Sequence, residues 1–376
     1  MVPAETPTPA ETPPPTAAPT SVVAPPPTAA PDPGRASRRT RLTALVPGLA
    51  TTVAIGAVAM AVGRLVPVVG GPVIAILVGI GAREAIGERP ALVRGARVAA
   101  KGVLQAAVVL LGAGLSLREV ARTGTEALPV MLGTLTVALG GAALLGRWLR
   151  VDEETRTLVG VGTGICGASA IATVSAVIGA SEAAVAYAVG TIVAFNVLGA
   201  LAFPLIGHAL GMSQAGFGLW AGTAINDTSS VVAAGTVYGA AAVSAAVVVK
   251  LTRTLMIVPI SVALALRTHR RARTAADGEP AASGDRVPWR RLVPPFLVLF
   301  LVASALHSLG VVPAAWGATI SDGAHLLTAV ALAGVGLLTP VATLRRAGWR
   351  PLALGGLLSL GVATSSLALQ AVTGAL

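Results

Sequence analysis

The sequence predicts an all-α, polytopic membrane protein of about ten to eleven transmembrane helices, two of them discontinuous or re-entrant. Three observations carry this. The 376 residues are 54% hydrophobic and only 11% charged, with a mean hydropathy of +0.80, and a soluble chain of this size needs more charge than that to cover its core. Apolar stretches long enough to cross a bilayer recur along the chain. Two of them are interrupted near the middle by small and polar residues.

Taken in order, residues 1–40 hold twelve of the 26 prolines, mixed with Ala and Thr, and are expected to be a disordered, partly polyproline II cytoplasmic tail. The first apolar run opens at Leu42 and lasts about 20 residues, the length of a retained span and too long for a cleaved leader. Residues 41–266 are read as a transmembrane block of eight spans, at roughly 42–62, 65–82, 98–117, 127–146, 157–179, 183–207, 214–238 and 240–266. Residues 267–291, rich in Arg with Gly278, Pro280 and Gly284, read as a cytoplasmic basic linker. Residues 292–376 supply three more spans, at roughly 292–311, 323–342 and 351–374.

The charges between spans orient the chain. Clusters that begin at Arg35, Arg83, Arg147, Arg267 and Arg345 all fall on one side if eleven spans are counted. The positive-inside rule makes that side the cytoplasm, with the N-terminus inside and the C-terminus outside. Arg64, Arg118 and Arg122 fall on the other side, the last two each with an acid nearby, Glu119 or Glu126.

The two polar islands align with each other. "GTGICGASA" at 162–170 matches "GTAINDTSS" at 222–230 as Gly-Thr-small-Ile, with Ser at the eighth place. Such sequences let a helix break, and in hydrocarbon a break is tolerated only where freed backbone groups face protein or a water-filled cavity. Close helix packing through small residues is the competing reading of the first island. It explains the second less well, because packing does not call for Asp227, whose charge costs ~2.5–3.5 kcal/mol at such depth on insertion scales. Asp227 is either a functional carboxylate or the cap of a half-helix that begins near Thr228, or both. Lys250 and Arg253, three residues apart on the next span, are read as its counter-charges, with Lys250 paired to Asp227 and the surplus positive charge suited to an anion. Arg253 snorkelling to an interface is the alternative. Gln105, Asn196 and Thr252 are weaker signals inside spans.

Several classes are set aside. The net charge of +11 sits in short clusters between spans and not along one face, which argues against nucleic acid. One cysteine, Cys166, leaves no intramolecular disulfide and no multi-cysteine zinc site. No phosphate-binding glycine loop is present, so a carrier would be driven by an ion gradient or membrane potential. Neither island supplies the nucleophile and histidine of an intramembrane serine protease, and no enzymatic role, cofactor or metal is expected.

The stretches "LLGAGLSL" (110–117), "GTGICGASAIA" (162–172), "AGTAINDTSSVVAAG" (221–235) and "VVKLTRTLMIVPI" (248–260) resemble the YeiH-like sulfate exporter family of bacterial inner-membrane proteins. "LAGVGLLTPVATLRRAGWRPL" near the C-terminus extends the similarity, which runs from about residue 42 onward. The resemblance implies a secondary carrier related in fold to cation/proton antiporters and bile-acid symporters, built from inverted repeats, with sulfate-like or sulfonate-derived anions as cargo. Where family members often carry His-Asp, this chain has Asn226-Asp227, so no proton-carrying imidazole is transferred.

The function expected is therefore secondary transport of a small anion, export of sulfate, sulfite or a related sulfonate across the cytoplasmic membrane. The substrate-binding residues expected are Lys250, Arg253, Asp227, Asn226, Thr228, Ser229, Ser230, Gly164, Cys166 and Ser169. The alternative is a Na⁺/H⁺ or other cation/proton antiporter using Asp227. Expected partners are a small inorganic or organic anion, a coupling H⁺ or Na⁺, the bilayer and a second copy of the chain, with no nucleic acid. In this reading the two islands lie on spans that run the same way, so they form an inverted pair only if one is re-entrant.

Overall fold

In the computed structural model, residues 44–65, 70–87, 89–275, 295–339 and 348–375 are described, and all of them fall within one compact unit. They are helical, with no strand. In chain order the helices are α1 (Val46–Leu65), α2 (Gly70–Ile86), α3 (Pro90–Gly112), α4 (Leu117–Glu126), α5 (Leu128–Trp148), α6 (Glu153–Gly164), α7 (Ala168–Ile178), α8 (Glu182–Ala209), α9 (Gln214–Ala224), α10 (Thr228–Tyr238), α11 (Ala240–Thr254), α12 (Ile257–Ala275), α13 (Pro295–Ser308), α14 (Gly317–Leu337) and α15 (Trp349–Thr373). Seven described segments are each long and apolar enough to cross a membrane, among them α1, α3, α5, α8, α14, α15 and the α11–α12 run Ala240–Leu266.

Local sequence sets the boundaries. Ser116, Asp152, Ser181, Ser213 and Asp227 each accept a backbone N–H with the side chain at the start of α4, α6, α8, α9 and α10. Pro90 opens α3 eight residues before the apolar run expected at 98, because its fixed φ suits the first turn of a helix and the Arg94 and Arg97 turns hide that start from a hydropathy reading. The short α4 is polar, pairs Arg122 with Glu126 at 2.7 Å, and lies between α3 and α5 without the length to span. Residues 267–275, expected to begin a linker, continue α12. The rest of that linker, 276–291, the tail 1–40 and the Arg345 and Arg346 cluster lie outside the described residues.

The two interrupted stretches, expected at 157–179 and 214–238, do not cross. A continuous helix would hold residues 154 and 181 about 40 Å apart at ~1.5 Å per residue, yet Glu154 Oε2 accepts from the Ser181 amide at 2.9 Å and its hydroxyl at 2.8 Å. Helices α6 and α7 are therefore the arms of a hairpin. In the same way Gln214 Oε1, at the start of α9, accepts from the Ala241 and Ala242 amides that follow α10, at 3.0 and 3.3 Å. Tyr238 at the end of α10 stacks on Phe217 of α9 with ring centroids 3.8 Å apart. Both islands are hairpin tips.

The intervening helix α8 sets the hairpins against each other. The first hairpin has its base at the start of α8, through Glu154 and Ser181. The second has its base at the far end, where the Tyr238 hydroxyl donates to the Gly207 and Met212 carbonyls. Both tips meet α8 near its middle, at Ile192 and Asn196. The hairpins thus enter from opposite ends, an inverted pair, which resolves the same-direction conflict left by counting both islands as crossings.

The remaining helices form two groups. Helices α1, α2, α3, α13 and α14 pack on one another, with close backbone approaches such as Gly79 against Gly336. Helices α5, α8, α11 and α15 pack around the hairpins.

Candidate functional site

Each hairpin tip is three residues long, 165–167 and 225–227, and leaves two kinds of exposed backbone ends. The arms entering the tip, α6 and α9, end in unpaired carbonyls, and the arms leaving it, α7 and α10, begin with unpaired amides. Both sets lie deep in the protein and need partners.

The carbonyls are satisfied by two cations from α11. Arg253 donates through Nε to the Gly164 carbonyl at 2.6 Å, and through its two terminal nitrogens to the Thr163 and Thr223 carbonyls. Lys250 Nζ donates to the Ile165 and Ile225 carbonyls, both at 2.9 Å. In the alignment of the two islands Thr163 matches Thr223 and Ile165 matches Ile225. Each cation therefore holds equivalent atoms of both hairpins, and both side chains are 0% exposed. Two positive charges against two helix C-termini is the favourable sign for the dipole.

This corrects two expectations. Lys250 does not pair with Asp227: no ion pair joins them among the described residues, because the C-terminal carbonyls take the ammonium instead. Lys250 and Arg253 also do not line the cavity beside the tips; their donors point into the hairpins.

At the second tip Asp227 is a helix cap. Its Oδ2 accepts from the Ser229 hydroxyl and from the Ser230 amide at 3.2 Å. Asn196 of α8 supports the same tip, its Oδ1 accepting from the Asn226 and Asp227 amides at 3.2 Å each. Asn226 is 2% exposed, and its Oδ1 has no hydrogen-bond partner among the described residues. At the first tip the position equivalent to Asp227 is Gly167, with φ +66° and ψ −130°, a conformation that disfavours any side chain. Its missing Cβ would meet Ile192, Asn196 and the Asn226 carbonyl, so the tips touch there.

Beside the tips is a cavity of about 560 Å³. Cys166, Ser169 and Thr173 line it from the first hairpin and Asp227, Thr228 and Ser229 from the second. Of the residues expected to bind substrate, Gly164, Asn226, Ser230, Lys250 and Arg253 lie outside this lining. The Gly164 carbonyl belongs to Arg253 and the Ser230 amide to Asp227. The free thiol of Cys166 is buried at the cavity wall.

The facing wall is α3, which carries a π-helical turn at Ala99–Val103. Such turns re-aim side chains and cluster at functional sites. Here the turn brings Lys101 and Gln105 to the cavity. Lys101 is exposed and has no bonded partner among the described residues. Sequence reading missed Lys101, although a lone lysine inside an apolar run is the same signal that singled out Lys250.

Residues 47–355 match the family described as Conserved hypothetical protein 698. A UPF0324 membrane protein of Streptococcus pyogenes serotype M18 is 39% identical over 332 residues, 86% of this chain and 96% of the relative. Relatives with the same description from Clostridium tetani and Streptococcus agalactiae serotype V are each 35% identical, covering 87% and 88% of this chain and 97% and 98% of their own lengths. The chain belongs to the UPF0324 membrane protein family. Membership agrees with the multi-helix membrane fold, and the family match spans both hairpins, the clamp on α11 and the π turn of α3. The UPF0324 name carries no substrate.

Proposed function

We propose that the protein is a secondary transporter of a small anion in the cytoplasmic membrane, with its N-terminus and its 267–291 segment on the cytoplasmic side. One observation carries the reading: two half-helix N-termini from opposed hairpins converge on one cavity, while their C-terminal partners are neutralised by buried cations. Each N-terminus is worth about +0.5 charge and each C-terminus about −0.5. With Lys250, Arg253 and Asp227 added, the site sums to roughly +1 by the same estimate, before Lys101 is counted. Backbone amides at helix N-termini are ready donors to oxyanions, and Ser169, Thr228 and Lys101 add side-chain donors at the cavity wall.

In this reading Lys250 and Arg253 act on the anion through the field and through the shape they impose on the tips. The anion meets the α7 and α10 amides, Ser169, Thr228 and Lys101. Sulfate, sulfite and related sulfonates fit these donors and are the cargo that the motif resemblance supports. Movement of the hairpin-bearing group against the group containing α3 would expose the cavity to alternate sides, the usual motion of carriers with inverted repeats. No catalytic role is assigned to any residue.

A second reading, cation/proton antiport, has one observation in its favour: the Asp227 carboxylate lines the cavity without an ion pair among the described residues. The test is flux in proteoliposomes with sulfate, sulfite and sulfonates against imposed Na⁺ and H⁺ gradients. Anion counterflow that Lys101→Ala weakens at least fivefold is the expected result. Na⁺/H⁺ exchange with no anion movement would instead select the antiport reading.

A further inference from the structure

The cavity at the hairpin tips has a counterpart at the other end of the same helices. A chamber of about 240 Å³ is lined by Gly114 of the α3–α4 turn, Ser244 of α11, His307 of α13, and Ser321 and His325 of α14. Three helices reach both spaces. Helix α3 and its C-terminal turn run from Lys101 to Gly114, α11 from Thr254 back to Ser244, and α13 from Phe296 to His307. Ten to thirteen residues separate each of these pairs, about 15–20 Å at ~1.5 Å per residue, and along α3 the two linings close to a single turn, from Val108 at the cavity to Leu111 at the chamber. Because α11 runs counter to the other two and still shows the same order of spaces, the cavity and the chamber lie along one axis, between the two helix groups.

What separates them is apolar. Val108, Leu111, Val247, Leu251 and Phe300 belong to one contiguous buried cluster. The Phe300 ring is seated against Gly112, where an added Cβ would lie 2.7 Å from it. Ser304 holds α13 to the end of α3 by donating to the Leu115 carbonyl at 2.8 Å, and the Leu117 amide donates to Ser308 at 2.6 Å.

The chamber has its own polar character. Among the described residues no carboxylate lines it, the nearest acid being Asp322 beside His325, while two imidazoles and two serine hydroxyls do, and the His307 Nδ1 is buried without a hydrogen-bond partner among the described residues. Imidazole N–H and hydroxyl groups donate to oxyanions.

We propose that this chamber is the opposite-side vestibule of the hairpin-tip cavity and a second site for a small oxyanion, met there by His307 and His325, with Phe300 and its apolar neighbours as the seal between the two. The oxyanion part rests on the transport reading above; the two-sided route rests on the helix geometry alone. Single cysteines at Ser169, Ser321 and Val247, in a Cys166→Ser background, would be exposed to an impermeant thiol reagent in sealed vesicles of both orientations. Position 169 should label from one face only, 321 from the opposite face only, and 247 from neither. Adding Phe300→Ala should raise labelling at 247 at least tenfold. Sulfate or sulfite should slow labelling at 321 severalfold, and His307→Ala with His325→Gln should abolish that protection without changing the face from which 321 labels. Labelling of 169 and 321 from the same face would overturn the route. Opposite-face labelling with no anion protection at 321, in protein that moves sulfate or sulfite, would overturn the histidine site. Opposite-face labelling in protein that moves no anion would keep the route and remove the transport reading instead.

Discussion

The two hairpins share a scaffold and differ at one corner. Both place a Thr and an Ile carbonyl on the same pair of cations, and both begin their second arm at the same cavity. Beyond those shared positions the first tip reads Cys166-Gly167 and the second Asn226-Asp227. The repeated part is a clamp that lets two broken helices end inside the protein. The part that differs is where charge and hydrogen-bonding capacity enter, so chemistry is expected to be concentrated in the second hairpin and close packing in the first.

The largest expected effect comes from breaking the shared part. Arg253→Ala removes donors from three carbonyls across both hairpins, at about 1–3 kcal/mol per buried group left unsatisfied. A loss of folded protein is expected, read as a collapse of the monodisperse peak on size exclusion after mild heating. Arg253→Lys should rescue little, since one ammonium cannot span the three positions that the fork reaches. If Arg253→Ala runs and melts like the parent protein, the clamp is not what holds the tips.

Next comes the corner of the first tip. Gly167→Ala places a Cβ at φ +66° against Ile192 and Asn196, and strain of this kind is worth about 1–3 kcal/mol. The melting temperature should fall by several degrees, with flux falling alongside it. Ala224→Gly, at a helical position of the second hairpin with no such backbone demand, is the contrasting change, and its cost should stay near the ~1 kcal/mol of a helical Gly.

Asp227→Asn sharpens the comparison from the other side. Asn caps a helix about as well as Asp, so the fold should survive with a stability change below about 1 kcal/mol. Flux should nonetheless change, in rate or in its dependence on the Na⁺ or H⁺ gradient, because the cavity loses its carboxylate. Equal loss of folding and flux would make Asp227 a cap and nothing more. The smallest effect is expected for Cys166→Ser, a near-isosteric change at the cavity wall, which should keep transport within a few-fold; complete loss in correctly inserted protein would give the thiol a role of its own.

Much of this was legible in the residues. The spans at 127–146, 183–207 and 351–374 fall within a few residues of α5, α8 and α15, because long apolar runs have few alternatives in a bilayer. The helix breaks follow from the glycine and hydroxyl residues of the islands, and the cap at Asp227 from its place just before Thr228. That Lys250 and Arg253 project from one helical face also followed from their spacing; what they hold there did not.

Tertiary structure decided the rest. Hydropathy is read along the chain and cannot tell a broken crossing from a hairpin that returns, since the deciding contacts, Glu154 with Ser181 and Gln214 with Ala241, join residues 27 apart. The partner of Lys250 was likewise beyond a charge count. Opposite charges on neighbouring spans suggest an ion pair, but helix C-termini in the interior present carbonyls that carry no formal charge and leave no mark in the sequence, and they hold the cations instead. Lys101 reaches the cavity because of a π turn and the placement of α3 across the cavity from the hairpins; the lone lysine is visible in the sequence, but the space that it faces is made by segments distant in the chain.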